Sequence, residues 1–180
     1  SSQSFYQVNA TQTEVLYNEA IRLANLTGAE TVIDAYCGTG TIGLVAARRG
    51  AARVIGVDSV PSAIRDAANN ARHNGVENAE FVTQDATAFM KELAASEERP
   101  QPLVLLMDPP RAGSTPEFLE AATSLAPERI VYISCNPATQ ARDVRQLVES
   151  GYEVRAIRPV DMFPHTDHVE PIVMLEKKND

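Results

Sequence analysis

The stretch TVIDAYCGTGTIGL, residues 31–44, decides the fold, because a short apolar strand pattern runs into a glycine-rich turn and then into a helical pattern. Gly38 and Gly40 let the backbone turn tightly and approach a ligand above the carboxyl end of the strand. A second strand pattern ends at Asp58, 20 residues after Gly38. Doubly wound folds place there an acid that accepts hydrogen bonds from ribose hydroxyls, so the pair predicts a nucleoside-binding site.

The same turn leaves a rival interpretation open. Gly43 formally completes the pattern G-x-G-x-x-G, which is typical of nicotinamide and flavin enzymes. Asp85 ends the third strand pattern, and we predict that it meets an adenine amino group in the same crevice. The alternative for Asp85 is a helix N-cap before residues 86–95. The remaining motifs have to decide the chemistry.

Hydrophobic periodicity predicts a helix from about Asn9 to Leu26, with Val15, Leu16, Ile21, Leu23 and Leu26 on one face, followed by five strand–helix pairs. Such an alternation predicts a parallel sheet covered on both faces. Two further extended stretches, Glu153 to Val160 and Val169 to Glu176, have no helix between them. They predict an antiparallel hairpin at the edge of the sheet. The predicted strand–helix pairs are 31–36 with 42–49, 53–58 with 62–74, 80–84 with 87–95, 103–108 with 115–125, and 129–134 with 139–149.

Composition sets bounds on the function. A chain of 180 residues, 44% of them hydrophobic, suits one domain, and no apolar stretch approaches the roughly 20 residues of a membrane span. We therefore expect a cytoplasmic protein, whose two cysteines are free thiols. The net charge of −8 argues against gripping nucleic acid by bulk electrostatics. A local group of basic residues is interpreted as a solvated face: Arg142, Arg145, Arg155 and Arg158.

Two strand patterns end in residues that carry chemistry. The fourth ends in Asp108-Pro109-Pro110-Arg111, where the prolines stiffen the loop and hold the carboxylate at the crevice mouth. The fifth ends at Cys135, just before a helix whose N-terminal dipole favours a thiolate. The alternative for Cys135 is a buried structural cysteine.

The segment 161–170, DMFPHTDHVE, is too rich in ionisable groups for a simple connection. A metal site is one reading, with His165, Asp167, His168 and Glu170 as candidate ligands, but consecutive loop positions rarely aim at one ion. A solvated loop is the second. The third, which we favour, is a general base working opposite Cys135.

Five motifs together resemble the RNA 5-methyluridine methyltransferase family, in particular the bacterial 23S rRNA (uracil-5-)-methyltransferases. They are FYQVN (5–9), DAYCGTGTIGL (34–44), DPPR (108–111), SCNPATQARD (134–143) and DMFPHTDHVE (161–170). The resemblance spans the whole chain in the family's motif order. It implies a Rossmann-like class I fold with a mainly parallel seven-stranded sheet, S-adenosylmethionine as cofactor, no metal, and a uridine in ribosomal RNA as substrate, with transfer RNA as the alternative.

The resemblance also implies roles for individual residues. Cys135 matches the nucleophile and Glu170 the proton-abstracting glutamate. Further positions match cofactor contacts: Gln7, Tyr36, Asp58, Asp108 and, with a weaker match, Asp85. Asp58 departs from the family, which more often has the longer Glu there, so the ribose contact is expected to shift. We predict residues 1–27 to form a segment that packs on a catalytic domain at 28–180, with the family's RNA-binding domain outside this sequence.

The implied reaction adds the Cys135 thiolate to carbon 6 of uracil, methylates carbon 5, and removes the carbon 5 proton with Glu170. Because both faces of the base are used, the uridine has to be flipped out of its RNA. Two rivals remain. An amino-group methyltransferase would also use Asp-Pro-Pro, but followed by an aromatic residue where this chain has Arg111. A non-catalytic domain that binds adenosylmethionine or RNA is the other.

Overall fold

The computed structural model describes residues 2–162 and 169–179, with side chains from Gln12 onward. Seven strands in these ranges form one sheet in the order β3-β2-β1-β4-β5-β7-β6. The elements follow the chain as α1 (Ser2–Ala24), β1 (Thr31–Ala35), α2 (Thr41–Arg48), β2 (Arg53–Asp58), α3 (Pro61–His73), β3 (Ala79–Thr83), α4 (Ala86–Ala95), β4 (Leu103–Met107), α5 (Pro116–Ser124), β5 (Arg129–Ile133), α6 (Pro137–Glu149), β6 (Tyr152–Asp161) and β7 (Val169–Lys177).

Strands β1 to β5 are parallel, while β7 lies antiparallel to β5 and β6 antiparallel to β7. The predicted parallel sheet and C-terminal hairpin are therefore confirmed. The chain leaves the β3 edge and returns to place β4 beside β1. This reversal is the switch point at which open α/β sheets bind ligands, outside the carboxyl ends of the strands.

Both faces of the sheet are buried at its central strands β1, β2, β4 and β5, which explains why these strands are continuously apolar. Residue Ile33 of β1 and Leu105 of β4 pack with α4, α5 and α6, whereas their neighbours Val32 and Val104 pack with α1 and α2. Each strand thus contributes alternate side chains to two cores, as expected for a sheet between two helical layers.

The first helix differs from its prediction in extent and in its buried face. It begins at Ser2 rather than near Asn9, and ends at Ala24 because Asn25 adopts a left-handed conformation with φ of 51°. Leu16, Ile21 and Leu23 are buried as predicted, but Val15 is 50% exposed. The buried face follows the spacing of Leu16, Ala20 and Leu23, and a residue one position before Leu16 points about 100° away from it.

Candidate active site

The glycine turn between β1 and α2 is the floor of the crevice. Tyr36, Gly38 and Gly40 all have left-handed backbones, with φ of 62°, 55° and 82°. A Cβ added to Gly40 would lie 2.8 Å from the Phe81 ring and 2.9 Å from Ala67, so only glycine lets the turn pack onto its neighbours. A Cβ added to Gly38 would meet no described atom within 4 Å. The turn is therefore tightly packed against its neighbours at Gly40, but not at Gly38.

Asp58 is held in a fixed orientation beside this turn. Its two carboxylate oxygens accept hydrogen bonds from the backbone N–H groups of Gly38 and Val60, each at 2.9 Å. Each oxygen keeps a second lone pair for another donor. The predicted pairing of the glycine turn with an acid at the end of β2 is thus present as a hydrogen bond.

Tyr36 joins the turn to the opposite wall of the crevice. Its hydroxyl is 2.8 Å from Oγ of Ser114, and its ring lies 5.3 Å from the ring of Phe118. Burial raises the pKa of this phenol. A left-handed backbone at a bulky residue is strained and often occurs at functional sites, where packing holds it in place.

Asp85 forms the N-cap of α4, because its carboxylate accepts a hydrogen bond from the N–H of Ala88 at 2.9 Å. The helix-cap alternative is therefore confirmed. The same carboxylate also contributes, through its charge, to the raised pKa of Tyr36, which places it near that side of the crevice. Contact between Asp85 and a cofactor stays a prediction.

Asp108 directly follows β4 at the switch point and is largely buried. Burial, and then the negative charge of Glu170, raise its carboxyl pKa to about 7. The effect of the Glu170 charge on this pKa indicates that the two carboxyl groups lie in the same part of the site. The structure thus brings together two residues that are 62 positions apart in the sequence.

Cys135 and Glu170 occupy adjacent strand ends. Ile133 of β5 pairs with Ile172 of β7, and the N–H of Ser134 donates to the carbonyl of Pro171 at 3.3 Å. Continuing this register places Cys135 next to Glu170. Cys135 is a free thiol, partly exposed, and lies just before Asn136, which caps α6.

Some predicted positions fall outside this description. Gln7 lies within α1, but its side chain is not among those described. His165, Asp167 and His168, the other candidate metal ligands, lie outside the described residues. Within residues 2–162 and 169–179 there is no group of three His, Cys, Asp or Glu side chains that could hold a metal ion. The helices in those ranges include none with the length and apolar character needed to cross a bilayer.

Comparison with known proteins identifies the family of the chain. The family model tRNA (Uracil-5-)-methyltransferase matches residues 1–178. The chain is a member of the tRNA (uracil-5-)-methyltransferase family. It is 51% identical over 179 residues to an uncharacterized RNA methyltransferase of Halalkalibacterium halodurans, covering 99% of this chain but 38% of that protein. This chain therefore spans little more than a third of the length of that relative.

Solved structures show the same family and fold. The chain is similar to the Pyrococcus abyssi tRNA (uracil-54, C5)-methyltransferase in complex with S-adenosyl-L-homocysteine, with 37% identity and a TM-score of 0.72, covering 88% of this chain and 37% of that one. The Synechocystis magnesium protoporphyrin IX methyltransferase with bound SAM shares 20% identity, with a TM-score of 0.67, covering 98% and 83%. This second likeness shows the fold alone and confirms the predicted class I methyltransferase architecture.

Two residues of this protein, Asp34 and Tyr17, lie at the site although we do not predict them there from the sequence. Asp34 is buried within β1, and its Oδ2 accepts no hydrogen bond from the described residues. Tyr17 of α1 is largely buried, and its pKa is raised by burial and by the charges of Asp108, Asp34 and Glu170. An acid inside an apolar strand is a sequence signal for Asp34. Tyr17 has no comparable signal, because aromatic residues are common on buried helix faces.

The position of Asp34 also explains Gly43. A Cβ added to Gly43 would lie 2.9 Å from Oδ2 of Asp34 and 3.2 Å from Val54. The third glycine of the formal G-x-G-x-x-G pattern therefore lets α2 pack closely on the sheet. The third glycine of the dinucleotide pattern has the same packing role, so Gly43 does not separate the two interpretations. The match to the family model decides against the nicotinamide or flavin rival.

We expect Asp34 to make stability fall with rising pH. Burial, then the charge of Asp108, raise its pKa from 3.8 to about 8. The stabilising contribution of the neutral carboxyl is complete below the unfolded pKa and is lost as pH rises through the folded pKa. The free energy of unfolding of wild type should therefore fall between about pH 5.5 and about pH 8.5. In Asp34→Asn this fall should be smaller by at least about 1 kcal/mol. Urea unfolding without cofactor measures this.

The matched control for that experiment is Asp66→Asn, an exposed carboxylate on α3. It should leave the pH dependence of wild type unchanged. An identical pH dependence in Asp34→Asn and wild type would show that Asp34 titrates as an ordinary carboxyl.

Proposed function

We propose that this domain catalyses S-adenosylmethionine-dependent methylation of carbon 5 of a uridine in RNA, with Cys135 as nucleophile and Glu170 as base. One observation carries the proposal: Asp108 and Cys135 follow the carboxyl ends of β4 and β5, and Glu170 lies at the amino end of the antiparallel β7, on the same edge of the sheet as the glycine turn. A thiol and two carboxylates at one crevice suit addition to a pyrimidine followed by proton removal.

The described residues fit the cofactor. A Cβ added to Gly38 would meet no described atom within 4 Å, and Asp58 beside it presents oriented oxygens with remaining acceptor capacity. Asp58 would hold the ribose hydroxyls and Asp85 would meet the adenine amino group, as we predict from the sequence. Tyr36 is a further proposed cofactor contact. Gln7 and Asp108 are the remaining proposed contacts. S-adenosylmethionine supplies an electrophilic methyl group when bound.

The protein's own residues account for the remaining steps. The thiolate of Cys135 adds to carbon 6 of uracil, which makes carbon 5 nucleophilic enough to take the methyl group. Glu170 then accepts the carbon 5 proton, and the carbon 6–sulfur bond breaks to return the thiolate and release 5-methyluridine. Atoms and charge balance, because the methyl cation enters as the proton leaves.

Asp108 changes the charge beside Glu170 by its own protonation. With a pKa of about 7, the Asp108 carboxyl carries a proton in a large fraction of molecules at neutral pH. A proton on Asp108 removes the repulsion between the two groups.

The test of the proposal is product analysis with the full-length protein. Ribosomal RNA, the predicted substrate, and transfer RNA, the alternative, are incubated with adenosylmethionine and digested to nucleosides. The proposal expects 5-methyluridine in one of them. Methylated adenine or guanine would support the amino-group rival instead, and binding without any methylated nucleoside would support the non-catalytic one.

Asp58 allows a separate test of cofactor placement. Asp58→Ala removes both the ribose acceptors and the hydrogen bond to the N–H of Gly38, so the Kd for S-adenosylhomocysteine should rise about tenfold or more. Asp58→Glu should bind more tightly than Asp58→Ala, because a carboxylate remains. Calorimetric titration measures both, with Asp66→Ala as the exposed control. Equal Kd values for Asp58→Ala and wild type would remove Asp58 from the cofactor site.

A further inference from the structure

The loop between β4 and α5, residues 108–115, is bound to helix α6 along its length. The carbonyl of Arg111 accepts hydrogen bonds from Nδ2 of Asn136 at 3.1 Å and from Oγ1 of Thr139 at 3.0 Å. Helix α6 begins two residues after Cys135, so these contacts join the Asp108 loop to the helix that directly follows the proposed nucleophile.

Asp143 lies at the centre of this contact and is 2% exposed. Its Oδ2 accepts hydrogen bonds from the N–H of Ser114 at 2.8 Å and from the hydroxyl of Tyr132 at 2.5 Å. Its Oδ1 accepts from Nε and Nη2 of Arg142, at 3.1 and 3.0 Å. The same Arg142 donates to the carbonyls of Ala112 and Ser114. One buried carboxylate thus organises donors from the loop, from β5 and from α6.

The fit of the loop is tight at Gly113. Its φ is +81°, and an added Cβ would lie 2.5 Å from Nη2 of Arg142 and 2.8 Å from Oδ2 of Asp143. Glycine is therefore required here for both conformation and space. The backbone of the loop at Gly113 thus packs directly against the side chains of Arg142 and Asp143.

The network also reaches the cofactor side of the crevice. Ser114, whose N–H donates to Asp143, is 5% exposed, and its Oγ is 2.8 Å from the hydroxyl of Tyr36. Ser114 therefore links Asp143 to Tyr36 through two hydrogen bonds. Asp143 itself lies on α6, the helix that follows Cys135. None of the proposed chemical steps uses Asp143 itself.

We propose that Asp143 is a positioning residue, which holds the 110–115 loop against α6 so that the Tyr36 side of the crevice is aligned with Cys135. Its effect on catalysis rests on the proposed function. Misplacement of reacting groups by about 1 Å can cost about 10²-fold in rate. Asp143→Ala should therefore lower kcat by about 10²-fold and raise the Kd for S-adenosylhomocysteine, with KM for RNA changed less than about twofold.

Removal of Asp143 also leaves the buried Tyr132 hydroxyl and the Ser114 N–H without an acceptor, which destabilises the fold. The matched control is Glu30→Gln, because Glu30 is likewise 2% exposed and accepts two hydrogen bonds from Thr27, but before β1 at the opposite end of the sheet. It should lose stability while keeping wild-type kcat for each folded molecule. Asp143→Asn keeps an acceptor oxygen and should recover part of the kcat lost in Asp143→Ala.

A second pair of variants tests the loop without changing Asp143. Gly113→Ala should reproduce the loss of kcat, because its methyl group displaces Arg142 and Asp143. Gly75→Ala is the control, since Gly75 also has a positive φ, of +66°, but an added Cβ there meets no described atom within 4 Å. The proposal is overturned if Gly113→Ala behaves like Gly75→Ala, or if Asp143→Ala behaves like Glu30→Gln in kcat.

Amide hydrogen exchange separates this proposal from the proposed function, because it needs neither RNA nor cofactor. In the full-length Asp143→Ala protein, exchange at Ser114 should be at least about tenfold faster than in wild type, and it should be unchanged in Glu30→Gln. Unchanged exchange in Asp143→Ala would overturn the positioning role. If wild type forms no 5-methyluridine while exchange responds as expected, the proposed function fails and the role of Asp143 in holding the loop stands.

Discussion

Cys135→Ala is expected to lower 5-methyluridine formation by about 10⁴-fold or more, because without the sulfur adduct carbon 5 of uracil is too weak a nucleophile. The fold should be retained, since Cys135 is partly exposed between β5 and α6 and its side chain is small. The Kd for S-adenosylhomocysteine should stay near that of wild type. Single-turnover assays with labelled adenosylmethionine and full-length protein measure the rate.

Cys135→Ser provides the comparison for that experiment. A hydroxyl matches the size of the thiol but is far less ionised at neutral pH, so this variant should be nearly as inactive as alanine. Wild-type methylation by Cys135→Ala would contradict the covalent mechanism. The fold and the family membership would be unaffected by that result.

Glu170→Gln should give a different defect, in which the methylated uridine stays bound to the protein. Glutamine keeps the volume of the side chain and the pairing of residue 170 with Val160, but it cannot accept the carbon 5 proton. Methyl transfer precedes proton removal, so a methylated RNA–protein adduct should accumulate with ordinary uridine. Turnover should fall about 10³-fold. Denaturing gels and mass spectrometry of the adduct measure both effects.

Two controls sharpen the result for Glu170. Glu176→Gln changes a carboxylate at the far end of β7, where it pairs with Arg155, and should retain wild-type turnover. The double variant of Cys135→Ala with Glu170→Gln should form no adduct. Release of 5-methyluridine by Glu170→Gln at the wild-type rate would exclude Glu170 as the base, and Asp108 would become the candidate to test.

The sheet was predictable because the central strands β1, β2, β4 and β5 are short apolar runs buried on both faces. The helical pattern after β1 and the absence of one between β6 and β7 were enough to distinguish the parallel part from the hairpin. The start of α1 was not predictable in the same way, because residues 2–8 carry no helix-start signal that periodicity can detect. The exposure of Val15 shows that neighbouring apolar residues do not decide which face packs.

The site was predictable where function follows from the position of a residue at a strand end. Asp108 directly follows β4 and Cys135 lies two residues after the end of β5, and these two strands are neighbours in the sheet. Arg142 shows the limit of such reasoning. Its sequence neighbourhood indicates a solvated face, yet its guanidinium binds Asp143 and two loop carbonyls. These contacts join segments about 30 residues apart, and only the packing of α6 on the loop reveals them.

The most direct test of the central claim is peptide mapping of full-length protein incubated with adenosylmethionine and RNA that contains 5-fluorouridine. Fluorine at carbon 5 cannot be removed as a proton, so the methylated base should remain bound to the sulfur that attacked it. Cys37, which is buried below the glycine turn, serves as the internal comparison. The account predicts a methylated adduct on the peptide that contains Cys135. Bound cofactor and RNA with no adduct, or an adduct at another residue, would contradict it.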